Sequence, residues 1–343
     1  MHILVVTNMW PTPADPSFGI FVAEQVAAVQ ALGVAVDVCV IEGRASRWNY
    51  LRAVGEIRRR LARDKYHLVH AHYVYSGLAA WLAGARRPDR PLVVTHHGVE
   101  VFRGLQSHLA RWLTRHVDRS LVISRAMAGR LGLGEESVVP CGLDLRLFVP
   151  GDRLAACRTL GLDPGVRWIA WVGADRPEKR LALARAAVGK LRTTVPSAQL
   201  LVVTGQPHES IPAYLQACDC LLVTSTFEGG PLVVKEALAC GRPAVSTDVG
   251  DVRQVVGSVP GCALVEAPRT IGGNSPGFAA IECTLTETLA AGLATALAAP
   301  PDPSVARRAV SGYGKDEVAR RVVAVYRDVM VARGASPGVA GLL

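Results

Sequence analysis

A chain of 343 residues, half of them hydrophobic and 20% charged, has room for two domains with sizeable cores and is too apolar for intrinsic disorder. Its formal net charge of +9 calls for an anionic partner, which can be nucleic acid, a membrane surface or a phosphorylated small molecule. Its eight cysteines lie mostly inside apolar runs such as VDVCVIEG and QACDCLLVTS and lack the spacing of a disulfide framework. Cys218 and Cys220 have no histidine cluster beside them to complete a zinc site. The cysteines read as small buried hydrophobes in a reduced cytoplasm, and no metal is expected.

The opening MHILVVTNMWP has no basic leader and reaches Pro11 after a short apolar run, so a first strand over 2–8 is expected and not a signal peptide. Val22, Val26, Val29 and Leu32 then follow helical spacing, with Gly33 where a C-cap belongs. Apolar runs at 34–41, 67–73, 91–98, 120–124 and 137–142 suit parallel strands covered on both faces. After the Pro150-Gly151-Asp152 break a second series follows at 167–173, 198–205, 219–225, 242–248 and 261–268. Between its first two runs, Ala184, Ala187, Val188 and Leu191 make a helix face, with Arg185, Lys190 and Arg192 turned away. The alternation predicts an α/β chain of two Rossmann-like, doubly wound parallel-sheet domains, 1–149 and 150–314. Ligands of such sheets sit at the carboxyl ends of the strands, so a cleft between the domains is the default site. A last helix over 315–332 is expected to pack back near the first domain, and 333–343 to fray. No run of 18 apolar residues offers a membrane-spanning helix.

Up to residue 150 there are 18 Lys and Arg against 12 Asp and Glu, a balance of +6; after it, 20 against 17 leave +3. The densest basic run, EIRRRLARDK, sets Arg58, Arg59, Arg60 and Arg63 around a helix. A solvated face is its ordinary use; a membrane-surface or acceptor-binding patch is the sharper one. No aromatic residues interleave with it as nucleic-acid stacking requires, so nucleic acid is not expected as a partner.

The first strand is not followed by G-x-G-x-x-G, and no P-loop is present. A long loop from Asn8 to Gly19 comes instead, then a helix whose amino end can present N–H groups to an anion. The richest segment is Asp219 to Val252, DCLLVTSTFEGGPLVVKEALACGRPAVSTDVGDV, which reads strand, loop, helix, strand. Gly229 and Gly230 free the backbone to approach a ligand, Pro231 suits the first helical position, Glu228 precedes the helix and Glu236 lies inside it. Backbone donors beside two carboxylates fit a ligand with both phosphate and hydroxyls, such as a sugar nucleotide. Glu228 could instead be a simple cap, and Glu236 could pair with Lys235 or a surface arginine. Against that, Val233, Val234, Ala237, Leu238 and Cys240 surround Glu236, and an acid in so apolar a helix needs a specific partner.

The E-x7-E spacing of Glu228 and Glu236 in EGGPLVVKE, continued by EALACGRPAVSTDVGDV, resembles the GT-B glycosyltransferases, in particular the retaining enzymes of family 4. The resemblance runs along nearly the whole chain. SVVPCGLDLRLFVP looks like the family's linker, with Asp144, Phe148 and Pro150 in place, and THHGVEVF resembles its T-x-H-G-x-D segment. It implies that Glu236 holds the ribose hydroxyls of a nucleotide and Glu228 contacts the donor hexose. Backbone N–H groups of Gly229, Gly230 and Leu232, with Pro231 beside them, would meet sugar or pyrophosphate oxygens. Arg176 and Lys179, on the loop after Gly173, match the basic pair that neutralises the donor pyrophosphate. His97 matches the family histidine near the transferred sugar, and Gly19 the glycine loop near donor phosphate and acceptor. Glu228, His97, Arg176 and Lys179 are thus the candidate catalytic residues.

His70 and His72 can line the site or be buried and hydrogen-bonded, and His96 has no assigned role. The sequence departs from the family pattern at several places: Cys141 stands for Asn, Ala174 follows Gly173 where many relatives carry Arg, Arg180 follows Lys179 where Gly is common, and Glu100 replaces Asp. Residues 268–283 have no family counterpart and read as a flexible insertion.

The activity implied is a metal-independent, retaining transfer of a hexose or amino sugar from a UDP- or GDP-sugar to a hydroxyl acceptor, in natural-product or cell-envelope glycan synthesis. The nucleotide sugar is a co-substrate, and no further cofactor is expected. The second domain would bind donor and the first a small-molecule, lipid or glycan acceptor, in the cytoplasm, with contact at the inner membrane face as a use for the basic first domain. Two rivals are a sugar-nucleotide epimerase or hydrolase of the same fold, and a catalytically silent nucleotide-sugar-binding partner.

Overall fold

The computed structural model describes residues 1–102, 104–257, 259–266 and 278–334. It divides into one unit of Met1–Gly142 with Lys315–Leu343 and a second of Leu143–Gly314. The first unit alternates β1 (His2–Thr7), α1 (Ile20–Ala31), β2 (Ala35–Val40), α2 (Trp48–Arg63), β3 (Leu68–His72), α3 (Val74–Leu82), β4 (Leu92–His96), α4 (Gly104–His116), β5 (Arg119–Val122) and α5 (Arg125–Leu131). Its five strands are parallel in the order β2-β1-β3-β4-β5. Every residue of β3 and β4 is buried, as expected of central strands with helices on both faces. The register sets Thr7 beside His72 and His72 beside Thr95, so polar residues gather at the carboxyl ends of β1, β3 and β4.

The run 137–142 does not form a sixth strand. It makes one isolated bridge, Val138 to Val122, with the Val139 N–H donating to the Val122 carbonyl; the next rung would need the Ser124 carbonyl, which already accepts the Met127 and Ala128 N–H groups as the cap of α5. The helix after β1 begins and ends where its pattern indicates: Val22, Val26 and Val29 are buried, and Gly33 takes a φ of 83° just beyond it.

In the second unit, α6 (Arg153–Leu160) leads into β6 (Arg167–Val172), α7 (Leu181–Leu191), β7 (Ala198–Val203), α8 (Ile211–Ala217), β8 (Cys220–Val223), α9 (Leu232–Ala239), β9 (Ala244–Thr247), α10 (Val252–Val256), β10 (Ala263–Val265), α11 (Phe278–Ala298) and α12 (Pro303–Ala309). The sheet is again parallel, in the order β10-β9-β8-β6-β7. Ala184, Ala187, Val188 and Leu191 face the core while Arg185, Lys190 and Arg192 are exposed, as their spacing predicts. The stretch read as a flexible insertion is helical over its last part: 278–283 open α11, whose Leu285, Leu289 and Leu293 pack into the core with α7. The remainder, 268–277, lies outside the described residues, as do residues 335–343 of the expected frayed tail.

The division falls at Gly142, ahead of the Pro150 break. Leu143 and Phe148 pack in the core of the second unit, and the Leu143 N–H donates to the Tyr313 carbonyl. The Arg307 guanidinium reinforces this by donating to the carbonyls of Leu145, Phe148 and Ala239. The final helix, α13 (Lys315–Ala332), lies on the first unit, where Val318, Val322, Tyr326 and Val329 pack with Ile3, Val5, Val26 and Val29.

All eight cysteines are free; six are buried, Cys262 is half-buried and Cys283 is exposed, so Cys283 alone is no buried hydrophobe. Burial pushes the Cys218 thiol up to about 12. Among the described residues no helix is long and apolar enough to cross a membrane.

Candidate functional site

In the second unit the segment after β8 turns at Gly229 and Gly230 and enters α9 at Leu232, with Pro231 as its cap and not its first residue. Glu236 is 6% exposed, and its Oε1 lies 3.0 Å from His208 Nε2. His208 comes from the short turn before α8, and its ring lies 5.3 Å from that of Phe148. The buried acid thus has the partner its apolar surroundings demand, and that partner is neither Lys235 nor a surface arginine. Lys235, one residue earlier on the helix, points elsewhere: its Nζ lies 2.6 Å from Asp251 Oδ2, both side chains being buried, and sits over the Tyr313 ring. Removing either member would strand a buried charge.

Glu228 is held from two sides. Lys179 Nζ lies 2.7 Å from its Oε1, and the Ser225 hydroxyl donates to the same oxygen at 2.8 Å. The Lys179 side chain runs across Gly173, whose φ of 139° belongs to the glycine-favouring range. The two loops are clamped together: the Thr224 hydroxyl donates to the Lys179 carbonyl, Arg180 Nε donates to the Thr224 carbonyl and the Thr226 N–H donates to the Glu178 carbonyl. Arg180 stands where glycine is common, and it does adopt a left-handed backbone, with φ 49°. Its bond to Thr224 and its ion pair with Glu282 hold it there. Arg176, on the same loop, is exposed and makes no ion pair among the described residues.

The turn after β9 closes on the diglycine. A Cβ on Gly250 would lie 2.9 Å from the Gly229 carbonyl oxygen, at a φ of 59°. A Cβ on Gly230 would approach Asp251 Oδ1 to 3.2 Å. Gly250→Ala should therefore shift the diglycine backbone and cost about 1–3 kcal/mol, read as a lower melting temperature. An unchanged melting temperature would show that this turn gives way freely.

In the first unit Gly19 caps α1 at φ 73°, and a Cβ there would fall 2.3 Å from the Met9 carbonyl carbon. No other residue fits this close return of the 8–19 loop. His97 follows β4; its Nε2 lies 3.0 Å from His72 Nδ1, the two rings stack, and Phe21 lies 5.0 Å away. Its Nδ1 is buried with no partner among the described residues. Glu100, the replacement for Asp, accepts the His97 backbone N–H at 2.6 Å and is itself buried, which raises its pKa. His70 is a hydrogen-bonded core histidine: Nδ1 meets the Tyr326 hydroxyl and Nε2 the Thr95 hydroxyl, each at 2.7 Å. Both ring nitrogens of His96 are buried without a partner among the described residues.

Burial pushes His70 down to about 3 and His96 to about 4, and burial, then neighbouring histidines, holds His72 and His97 well below the usual range. Unfolded, these rings take up protons near pH 6.5. Below that pH the unfolded chain binds more protons than the folded one, so stability present above about 6.5 is lost as the pH falls toward 4. The melting temperature should therefore drop between about pH 7 and about pH 5. His96→Leu should lessen the drop, since leucine removes a titrating ring that makes no hydrogen bond; an equally steep fall in that variant would assign the acid sensitivity elsewhere.

A model of glycosyltransferase family 4 matches residues 2–147, and a model of group 1 glycosyl transferases matches residues 171–272. The chain belongs to the family 4, group 1 glycosyltransferases. Curated relatives of this family 4 chain include the D-inositol 3-phosphate glycosyltransferases of Segniliparus rotundus and Mycolicibacterium vanbaalenii. The first is 29% identical over 59% of this chain and 56% of its own length; the second is 30% identical over 67% and 61%. The match thus spans less than two thirds of either relative. Solved structures share the GT-B fold of two parallel-sheet, Rossmann-like units. Sucrose-phosphate synthase from Thermosynechococcus elongatus has a TM-score of 0.77 at 18% identity, covering 97% of this chain and 100% of that one. Anabaena HepE in complex with UDP has a TM-score of 0.59 at 18% identity, covering 96% and 100%.

Proposed function

We propose that this family 4 chain is a retaining, metal-independent glycosyltransferase that moves a hexose or amino sugar from a UDP- or GDP-linked donor to a hydroxyl acceptor. The observation that carries this reading is the Lys179–Glu228–Ser225 cluster beside the Gly229–Gly230 turn and the amino end of α9. A cation, a carboxylate and a row of backbone donors on one pair of loops match a diphosphate joined to a sugar. Lys179 and Arg176 stabilise the charge that develops on the diphosphate as the glycosidic bond breaks. Glu228 accepts hydroxyls of the transferred sugar, and Glu236, oriented by His208, accepts those of the ribose. N–H groups of Gly229, Gly230 and Leu232 take up sugar or phosphate oxygens, and Gly173 leaves room for Lys179. His97 and Gly19 take the roles their places in the family pattern imply, near the transferred sugar and the acceptor.

The leaving phosphate removes the acceptor proton on the same face, so the mechanism assigns no nucleophile or base to the protein and needs no cofactor beyond the donor. The acceptor is a small molecule, lipid or glycan of natural-product or envelope synthesis, and the setting is cytoplasmic. The names of the relatives suggest an inositol phosphate as a first acceptor to try, and HepE, also captured with UDP-glucose, suggests that donor.

The test is incubation with labelled UDP- and GDP-sugars, with and without acceptor, in the presence of a chelator. Acceptor-dependent transfer is expected. Conversion without acceptor would replace this reading by an epimerase or hydrolase, and binding without turnover by a silent partner.

A further inference from the structure

We infer that the outer face of α2, together with the end of α3, is a docking surface for an anionic lipid bilayer. This helix, WNYLRAVGEIRRRLAR, carries five arginines against one glutamate and buries only Ala53 and Ile57. Trp48 is 71% exposed and Leu51 58%, and Leu82 at the end of α3 adds a third uncovered apolar side chain at 41%. Between the two helices runs a groove of about 200 Å³ lined by Arg47, Tyr50, Leu51, Val54, Leu78 and Leu82, among others. The apolar edge and the positive charge are interleaved: Arg58 donates to the Leu82 carbonyl, and Arg47 and Arg52 flank Trp48 and Leu51 in sequence.

Not all of the basic run is available. Arg59 pairs with Glu56 and Arg63 with Asp64. Arg47 and Arg52 are exposed and make no ion pair among the described residues. The uncompensated charge among the described residues therefore lies at Arg47 and Arg52, beside Trp48 and Leu51, and at Arg58, whose guanidinium meets the Leu82 carbonyl, while Arg59, Arg60 and Arg63 are taken up by acids.

A single exposed leucine is ordinary, but tryptophan and leucine ringed by arginine match the chemistry of a bilayer interface. Tryptophan sits at headgroup level, leucine enters the acyl boundary, and arginine reaches phosphate from its apolar stem. The charge also selects the occupant. A second copy of this chain would bring like-charged helices together, whereas an anionic membrane offers phosphate around an apolar layer. The proposal is independent of the donor chemistry in the second unit.

The test is co-sedimentation of the full chain with vesicles of phosphatidylcholine alone and of phosphatidylcholine with phosphatidylglycerol. Binding is expected only to the second, and to weaken with salt. Arg47→Ala with Arg52→Ala should lower it by about tenfold or more, from the loss of two basic residues at the surface. Trp48→Ser with Leu51→Ser should remove the part that survives high salt. These side chains are exposed, so both variants should melt like the parent, and the donor-nucleotide affinity of each should be unchanged. Absence of wild-type binding to anionic vesicles, full binding by both variants, or a dimer in light scattering that the Trp48 and Leu51 changes dissolve would each overturn the proposal.

Discussion

Glu236→Ala is expected to weaken UDP or GDP binding by about two orders of magnitude, measured by calorimetry. The carboxylate is almost fully buried and fixed by His208, so in the proposed role it would meet the nucleotide with little further loss of side-chain entropy. Hydrogen bonds to a charged group contribute about 1.5–3 kcal/mol each, and two ribose hydroxyls would use two of them. Glu236→Gln keeps the shape but not the charge and should lose less. His208→Ala, which leaves the acid unpositioned, should fall between. Unchanged nucleotide affinity in Glu236→Ala would remove Glu236 from the donor site, and a loss of fold, seen as a lowered melting temperature, is checked in the same samples.

The joint change of Arg176 and Lys179 to alanine should act on turnover more than on acceptor affinity, lowering kcat by about 10²–10³-fold at saturating acceptor. Negative charge grows on the diphosphate as the sugar leaves, so a cation fixed beside it is worth more in the transition state than in the ground state. Lys179 meets that condition: Glu228 and the Gly173 surface hold its ammonium in place. Arg176 is exposed and so less constrained, and Lys179→Ala alone should account for most of the effect. Because Glu228 then loses its cation and is itself placed on the transferred sugar, Glu228→Gln alone and together with Lys179→Ala complete a double-mutant cycle that separates loss of the cation from an unpaired carboxylate. If kcat survives the double alanine change, neither cation serves the leaving group.

The alternation of strand and helix was legible because both patterns are local. Val22, Val26 and Val29 declare a helix face by spacing alone, and β3 and β4 declare themselves as unbroken apolar runs. The same logic misread 137–142, an apolar run that reaches β5 where that strand has already turned into α5 and offers it a single bridge. It also misread 278–283, where the helix continues into a leucine face that is evident only against α7. The diglycine turn and its two acids stood out for the same local reason, within one strand–loop–helix segment.

Which groups meet those acids was not local. His208 lies in TGQPHESIP, a stretch with no pattern of its own, and it reaches Glu236 only because α8 and α9 belong to the same layer of the second unit. Lys179 meets Glu228 because β6 and β8 are neighbours in the sheet although β7 lies between them in the chain. His72 meets His97 because β3 and β4 pair in a register that brings their carboxyl ends level. By itself, then, the sequence determined the two α/β units, the family and the segments that hold the candidate site residues, since periodicity and short motifs are written in consecutive residues. The partner of each charged group was decided by the tertiary structure, because strand order and register, not spacing along the chain, choose which loop ends lie side by side.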